Sequence, residues 1–169
     1  MSTDRQRRRL LLCLGWWPFW AGAQLSSPLP ATGTGPGVHG ANSPYPPLPQ
    51  RNDVLPWSLL SDVALKKVKN RVLPDYPAAV QALDDKTQRV QGFMLPLQPG
   101  LWHQHFLLTS VPLTCSFCTP GGPESMVEVK TRAPVKYTLL PVAVQGRFLV
   151  LKDDAYGLYY RMLDALALE

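Results

Sequence analysis

The chain is poor in cysteine and lacks an apolar run that could cross a membrane. Three cysteines among 169 residues exclude a disulfide-rich scaffold. The longest apolar run, residues 10–20, has eleven residues, whereas a helix that crosses the hydrocarbon core of a bilayer needs about 20. The sequence therefore predicts no membrane span in the mature protein.

The N-terminus has the three-part layout of a secretory signal peptide. A basic lead with four arginines precedes the apolar run and small residues follow it, so we expect residues 1–23 to be the signal, cleaved after Ala23. Retention as a short N-terminal anchor is the alternative. Export would place the protein in the periplasm or outside the cell, and would leave Cys115 and Cys118 as its only cysteines.

The positive charge of the chain lies mostly in this signal. The full sequence has 17 basic and 12 acidic residues and a net charge of +5. Removal of residues 1–23 takes away four arginines and one aspartate, which leaves 13 basic and 11 acidic residues and a net charge of +2. We therefore expect no nucleic-acid partner. The basic cluster at positions 66, 67, 69 and 71 is interpreted as a solvated face.

The mature chain divides into a linker and one domain. Residues 24–51 are rich in proline, glycine and serine and carry no charge before Arg51, which is typical of a flexible tether. Residues 52–169 are enough for one modest hydrophobic core. A short helix is expected near residues 77–83, ahead of an Asp-Asp turn.

Short β-compatible segments fill the rest of the domain. In MVEVK (126–130), Val127 and Val129 alternate with Met126 and Glu128, and VAVQGRFLVL (142–151) alternates similarly, with Gly146 expected to break a strand or turn a hairpin. Five or six such strands predict a mainly β fold. We expect a small antiparallel barrel, OB-fold-like in topology, with one or two short helices.

A histidine and cysteine motif, HQHFLLTSVPLTCSFCTPGGPES (103–125), carries the most chemistry. On an extended strand His103 and His105 would project from the same face, about 6.5–7 Å apart at Cα. Cys115 and Cys118 have the spacing with which a turn offers two sulfurs to one tetrahedral ion. The four residues predict a metal site for zinc or copper, with Glu124 as a further ligand or hydrogen-bond partner.

Two other interpretations of the cysteine pair compete with metal binding. A thioredoxin-type redox pair needs a helix directly after its first cysteine, and Pro120, Gly121, Gly122 and Pro123 oppose a helix. A structural disulfide stays open beside the metal site. It would close a very short loop and so add little stability through chain entropy. The histidines lack a nucleophile-elbow context and the glycines lack a phosphate-loop context, so no enzymatic activity is predicted.

Three segments resemble a known family. QRVQGFMLPLQPGLWHQHFLLT, CSFCTPGGPESMVEV and PVAVQGRFLVLKDDAYGLYYRMLDA are together similar to domain of unknown function 3299, a family of small exported bacterial proteins. The Gly-Phe-Met-x-Pro-Leu and His-Phe-Leu-Leu blocks are the most specific parts of this match, which spans residues 53–165. The resemblance implies no activity. Some relatives are similar to components encoded beside transport systems, which implies an envelope role.

The resemblance also bears on the cysteine corner. Other members look like Cys-x-His followed by a proline-rich run, whereas this chain has cysteine in place of histidine and one more spacer residue. Soft metal ligation is a task that both residue types share, so the comparison favours a metal. We therefore expect metal binding or delivery in the cell envelope, with a transporter component as partner. The alternative is a periplasmic protein–protein adaptor module in which Cys115 and Cys118 form a structural disulfide.

Overall fold

The computed structural model describes residues 35–168. The predicted signal, residues 1–23, and the first part of the predicted tether, residues 24–34, lie outside the described residues. The elements in chain order are α1 (Trp57–Leu60), β1 (Ala64–Val68), β2 (Arg71–Asp75), α2 (Ala78–Gln81), β3 (Lys86–Pro96), β4 (Trp102–Thr109), a 3-10 turn (Pro123–Ser125), β5 (Met126–Lys136), β6 (Val142–Val150) and β7 (Tyr160–Leu168). None of the helices within residues 35–168 has the length and apolar character that crossing a membrane requires.

Five of the strands close a barrel in the order β3-β4-β5-β7-β6. The neighbours pair antiparallel except β5 and β7, which are parallel. The predicted mainly β fold with a small barrel and short helices is confirmed, and the order matches an OB-like Greek key. The barrel is mixed rather than wholly antiparallel, because β7 turns back beside β6 and so runs in the direction of β5. The short helix α2 lies inside the span predicted for it.

Two glycines allow the barrel to close. β3 pairs with β6 as far as Gly92 and with β4 from Phe93 onward, and a Cβ on Gly92 would lie 2.7 Å from the carbonyl oxygen of Thr109. Gly146 lies inside the continuous strand β6, at a register shift against β7. The predicted hairpin turn or strand break at Gly146 is therefore wrong. The glycine lies at a β-bulge in the β6–β7 pairing, where the backbone of β7 comes too close for a side chain.

The core fills the barrel and continues under the two short helices. Val127 and Val129 of β5 are fully buried, as their alternation predicts. α1 attaches through Trp57, whose indole Nε1 donates to the carbonyl of Gln91 at 2.9 Å. The buried hydroxyl of Tyr160 donates to the carbonyl of Leu60 at 2.6 Å. These bonds satisfy polar groups that would otherwise be costly to bury.

Residues 35–51, the described part of the predicted tether, lie against the barrel. Val38 and Thr119 exchange two backbone hydrogen bonds of 2.8 Å. Gln91 donates to the carbonyl of Pro49, and Leu48 packs against the core. This part of the chain is thus held at several points by hydrogen bonds and apolar contact.

The remaining two strands form a separate hairpin. β1 and β2 pair antiparallel from Ala64↔Asp75 to Val68↔Arg71, so a two-residue turn at Lys69 and Asn70 joins them. Lys69 adopts a φ of 54° there, as tight hairpin turns require at a central position. The hairpin is joined to the β6–β7 loop by an ion pair between Arg71 and Asp153.

Candidate functional site

The two cysteines form a disulfide in the loop that joins β4 to β5. Cys115 and Cys118 are bonded, with 5.4 Å between their Cα atoms, and the N–H of Cys118 donates to the carbonyl of Cys115 at 3.2 Å across the same turn. A sulfur in a disulfide is not the thiolate that binds a metal. The corner is therefore a closed turn that fixes the shape of the loop.

Glu124 supports this corner as an acceptor of backbone hydrogen bonds. Its Oε1 accepts the N–H of Gly35 at 2.9 Å and the N–H of Gly122 at 3.2 Å. The carboxylate thereby joins the start of the described chain to the turn before β5. Both contacts are to backbone N–H groups and not to a histidine or cysteine, so the role of Glu124 as a metal ligand, or as a hydrogen-bond partner of one, stays a prediction.

The two histidines do not share a face of β4, so that expectation is wrong. His103 is 5% exposed; its Nε2 lies 3.0 Å from the carbonyl of Gly100 and its ring meets the edge of Tyr137. The side chain of His105 is 41% exposed. The reason is a bulge: His103 pairs with Val135 but His105 pairs with Lys130, so residues 131–134 of β5 lie opposite a single residue of β4. The bulge breaks the alternation on which the expectation rests.

The four predicted ligands therefore occupy separate settings. His103 is buried beside a loop carbonyl, His105 faces a carboxylate, and Cys115 and Cys118 are bonded to each other. Within residues 35–168 no group of three or more His, Cys, Asp or Glu side chains is placed to hold a metal ion. Binding of zinc or copper stays a prediction, and it requires reduction of the disulfide and movement of the histidines.

A charged cluster on the outer surface of the barrel was missed by the sequence analysis. Glu128 of β5 is only 6% exposed. Its Oε1 lies 2.7 Å from Nε2 of His105, and its Oε2 accepts Nε–H of Arg161 from β7. Arg161 also donates to Oδ1 of Asp154 at 3.0 Å, and Lys130 lies 3.9 Å from Glu128. The cluster thus ties β4, β5 and β7 to the β6–β7 loop.

Hydrogen bonding sets the protonation of both carboxylates in this cluster. Burial would raise the pKa of Glu128, but hydrogen bonds from Arg161 and His105 outweigh it and lower that pKa below its ordinary value. Burial likewise opposes ionisation of Asp154, whose pKa is nevertheless lowered by the backbone N–H groups of Tyr156 and Leu158 and by Arg161. Both groups are therefore ionised at neutral pH. They act as fixed acceptors rather than as proton donors.

An exposed apolar surface lies where the β3–β4 and β5–β6 loops meet. We call it the apolar end patch, and it consists of Leu97, Leu101, Trp102, Leu139 and Leu140. Each of these side chains is at least 45% exposed, and Leu101 reaches 70%. The N–H of Tyr137 donates to the carbonyl of Leu101 at 2.8 Å and holds the two loops together. Four leucines on two adjoining loops, with Trp102 at the start of β4, are typical of an interaction surface.

One solved structure of another protein is similar to part of this chain. The chain is similar to the crystal structure of a DUF3299 (domain of unknown function 3299) family protein from Pseudomonas aeruginosa PAO1, with 24% identity over 57% of this chain and 68% of that chain and a TM-score of 0.41. The family of this neighbour is the one that the sequence motifs resemble. No protein-family model matches the chain, and no curated protein matches it.

Proposed function

We propose that the protein is an exported, non-enzymatic adaptor module that binds another protein through the apolar end patch. The exposure of Trp102 among four leucines is the observation that carries this proposal. Tryptophan dominates binding energy at protein interfaces when surrounding apolar groups exclude water from it. The β3–β4 loop, which ends at Trp102, and the β5–β6 loop supply such groups.

The disulfide supports both the export and the adaptor role. A Cys115–Cys118 bond persists in an oxidising compartment such as the periplasm, and is rare in a reducing cytosol. It fixes the turn of a loop that also contacts the chain near Val38. In this proposal the cysteines have a structural role only. A component of an envelope transport system is the partner that the resemblance implies.

The test is site-specific photo-crosslinking in cells that export the protein. A photoreactive amino acid replaces Trp102 in one variant and Tyr156 in the other. Tyr156 is a matched control because it is an aromatic residue on another loop and is 88% exposed. We expect position 102 to form a crosslink with one partner, identified by mass spectrometry, and position 156 to form none.

Affinity for the identified partner then decides whether the patch binds it. Trp102→Ala should raise the dissociation constant about 30-fold, which is the effect of losing about 2 kcal/mol of binding free energy at an interface anchor. Because Trp102 is exposed, its removal should leave the thermal midpoint nearly unchanged. The proposal fails if positions 102 and 156 crosslink equally, or if Trp102→Ala binds the partner as tightly as the original protein does.

A further inference from the structure

The hairpin of β1 and β2, residues 64–75, combines exposed apolar and positively charged side chains. We call it the basic hairpin. Every residue from Ala64 to Val72 is exposed, including Leu65 at 65% and Val72 at 62%. Aliphatic side chains usually lie inside a protein when a core is available. Leu65 and Val72 therefore place exposed apolar surface beside the lysines of the hairpin.

Alternation along the strands gives the basic hairpin two faces. Lys66, Val68 and Leu73 line a cavity of about 390 Å³ between the hairpin and the barrel, together with Tyr76 and Val150. Side chains alternate between the two faces of a strand, so the other face of the hairpin carries Leu65, Lys67 and Val72. Lys67 lies directly across from Val72 in the pairing of the two strands. They therefore form the outer face of the hairpin, away from the barrel.

The charge of the basic hairpin is strongly of one sign. It carries four cations and one acidic residue, Asp75, for a net charge of +3. Arg71 is paired with Asp153. Within the part of the chain that the structure describes, Lys66, Lys67 and Lys69 take part in no ion pair. Lys67 on the outer face and Lys69 in the turn are thus available for an anionic partner, whereas Lys66 lines the cavity.

We propose that the basic hairpin docks the protein on an anionic phospholipid surface. Lys67 and Lys69 would lie among the headgroups, where each cation strengthens binding about fivefold. Leu65 and Val72 would enter the boundary between headgroups and acyl chains, as apolar side chains do in interfacial segments. The hairpin lies on the bilayer and does not span it.

The residue types favour lipid over an acidic protein. Interfaces between proteins are enriched in aromatic residues and arginine and depleted in lysine. The basic hairpin has three lysines, no aromatic residue, and a single arginine that is already paired within the molecule. Lysine clusters beside aliphatic side chains instead match the composition of segments that bind anionic membranes.

The test measures the partitioning of the full chain into vesicles. All variants have the same N-terminus, so any binding by residues 10–20 is common to them. Vesicles of phosphatidylglycerol and phosphatidylcholine are compared with vesicles of phosphatidylcholine alone. The combined variant Lys66→Glu, Lys67→Glu and Lys69→Glu should partition into the anionic vesicles at least about 100-fold more weakly than the original chain.

Two control variants outside the hairpin show whether binding depends on the hairpin itself or only on the net charge and the exposed apolar surface of the protein. The combined variant Lys86→Glu, Arg132→Glu and Lys136→Glu makes the same change in charge at exposed positions elsewhere, and we expect less than a threefold effect from it. Leu65→Thr with Val72→Thr places β-branched residues, which favour strands, at both positions and should weaken partitioning by about tenfold. The pair Leu139→Thr and Leu140→Thr, in the apolar end patch, should leave it unchanged.

Several outcomes overturn the proposal. One is equal partitioning of the original chain into anionic and neutral vesicles, and another is an equal loss in both charge variants. Binding of the hairpin to polyglutamate without binding to vesicles would assign it to an acidic protein instead. Circular dichroism of each variant confirms that the barrel is folded. None of these readouts depends on the partner of the apolar end patch.

Discussion

Replacing Glu128 by glutamine should destabilise the fold through the charged cluster on the outer surface of the barrel. Glu128 is 6% exposed and accepts hydrogen bonds from Arg161 and His105. A hydrogen bond to a charged group contributes about 1.5–3 kcal/mol. Glutamine keeps one acceptor but directs an NH₂ group at one of the two donors. Arg161 retains Asp154, and water reaches His105, so we expect a net loss of about 2–3 kcal/mol rather than the sum of two bonds.

Urea unfolding at pH 7 measures this loss. A decrease of about 2–3 kcal/mol corresponds to a midpoint lower by roughly 1–2 M for a domain of this size. The matched control is Asp85→Asn, which removes an exposed ion pair with Arg147 whose atoms lie 3.1 Å apart. Exposed pairs contribute little, so this variant should unfold close to the original midpoint.

The pH dependence of the difference in unfolding free energy between the original protein and Glu128→Gln tests whether the ionised carboxylate causes it. The pKa of Glu128 is lower in the folded protein than its ordinary value of about 4.3. Its stabilisation is therefore fully present above that ordinary value and is lost as the pH falls through the lower folded value. The gap between the original protein and Glu128→Gln should narrow between about pH 5 and pH 3. A gap that stays constant over this range, or equal midpoints at pH 7, would refute the role given to the carboxylate.

Two further predictions concern backbone approach and the cysteine corner. Gly146→Ala should lower the free energy of unfolding by about 1–3 kcal/mol in urea titration, because its Cβ would lie 2.8 Å from the carbonyl oxygen of Leu163; an unchanged midpoint would contradict the close approach. Purified mature protein, without residues 1–23, should contain no free thiol by colorimetric titration, because Cys115 and Cys118 are bonded. If elemental analysis instead finds one equivalent of zinc or copper that Cys118→Ser abolishes, the metal hypothesis holds and the structural disulfide does not.

The strands were predictable because their patterns are local. Alternation in β5 places Val127 and Val129 in the core whatever strand lies beside it. The prediction of a turn or strand break at Gly146 is wrong because turns and bulges both favour glycine, and only the pairing with the neighbouring strand distinguishes them. The histidines were misplaced for a similar reason. The bulge that separates His103 from His105 comes from extra residues in β5, and nothing within β4 records them.

The charged cluster was beyond prediction because it depends on a pairing between distant segments. Glu128 and Arg161 are 33 positions apart and become neighbours through the parallel β5–β7 pairing. Three residue pairs define that register, with a shift between Val129 and Thr131. Backbone hydrogen bonds alone specify so short a parallel pairing weakly, and a slip by one residue would turn Glu128 into the core. The ion pair penalises that slip, because it would bury a carboxylate without its arginine. The cluster therefore contributes to the closure of the barrel, and the barrel in turn fixes where the apolar end patch and the basic hairpin lie.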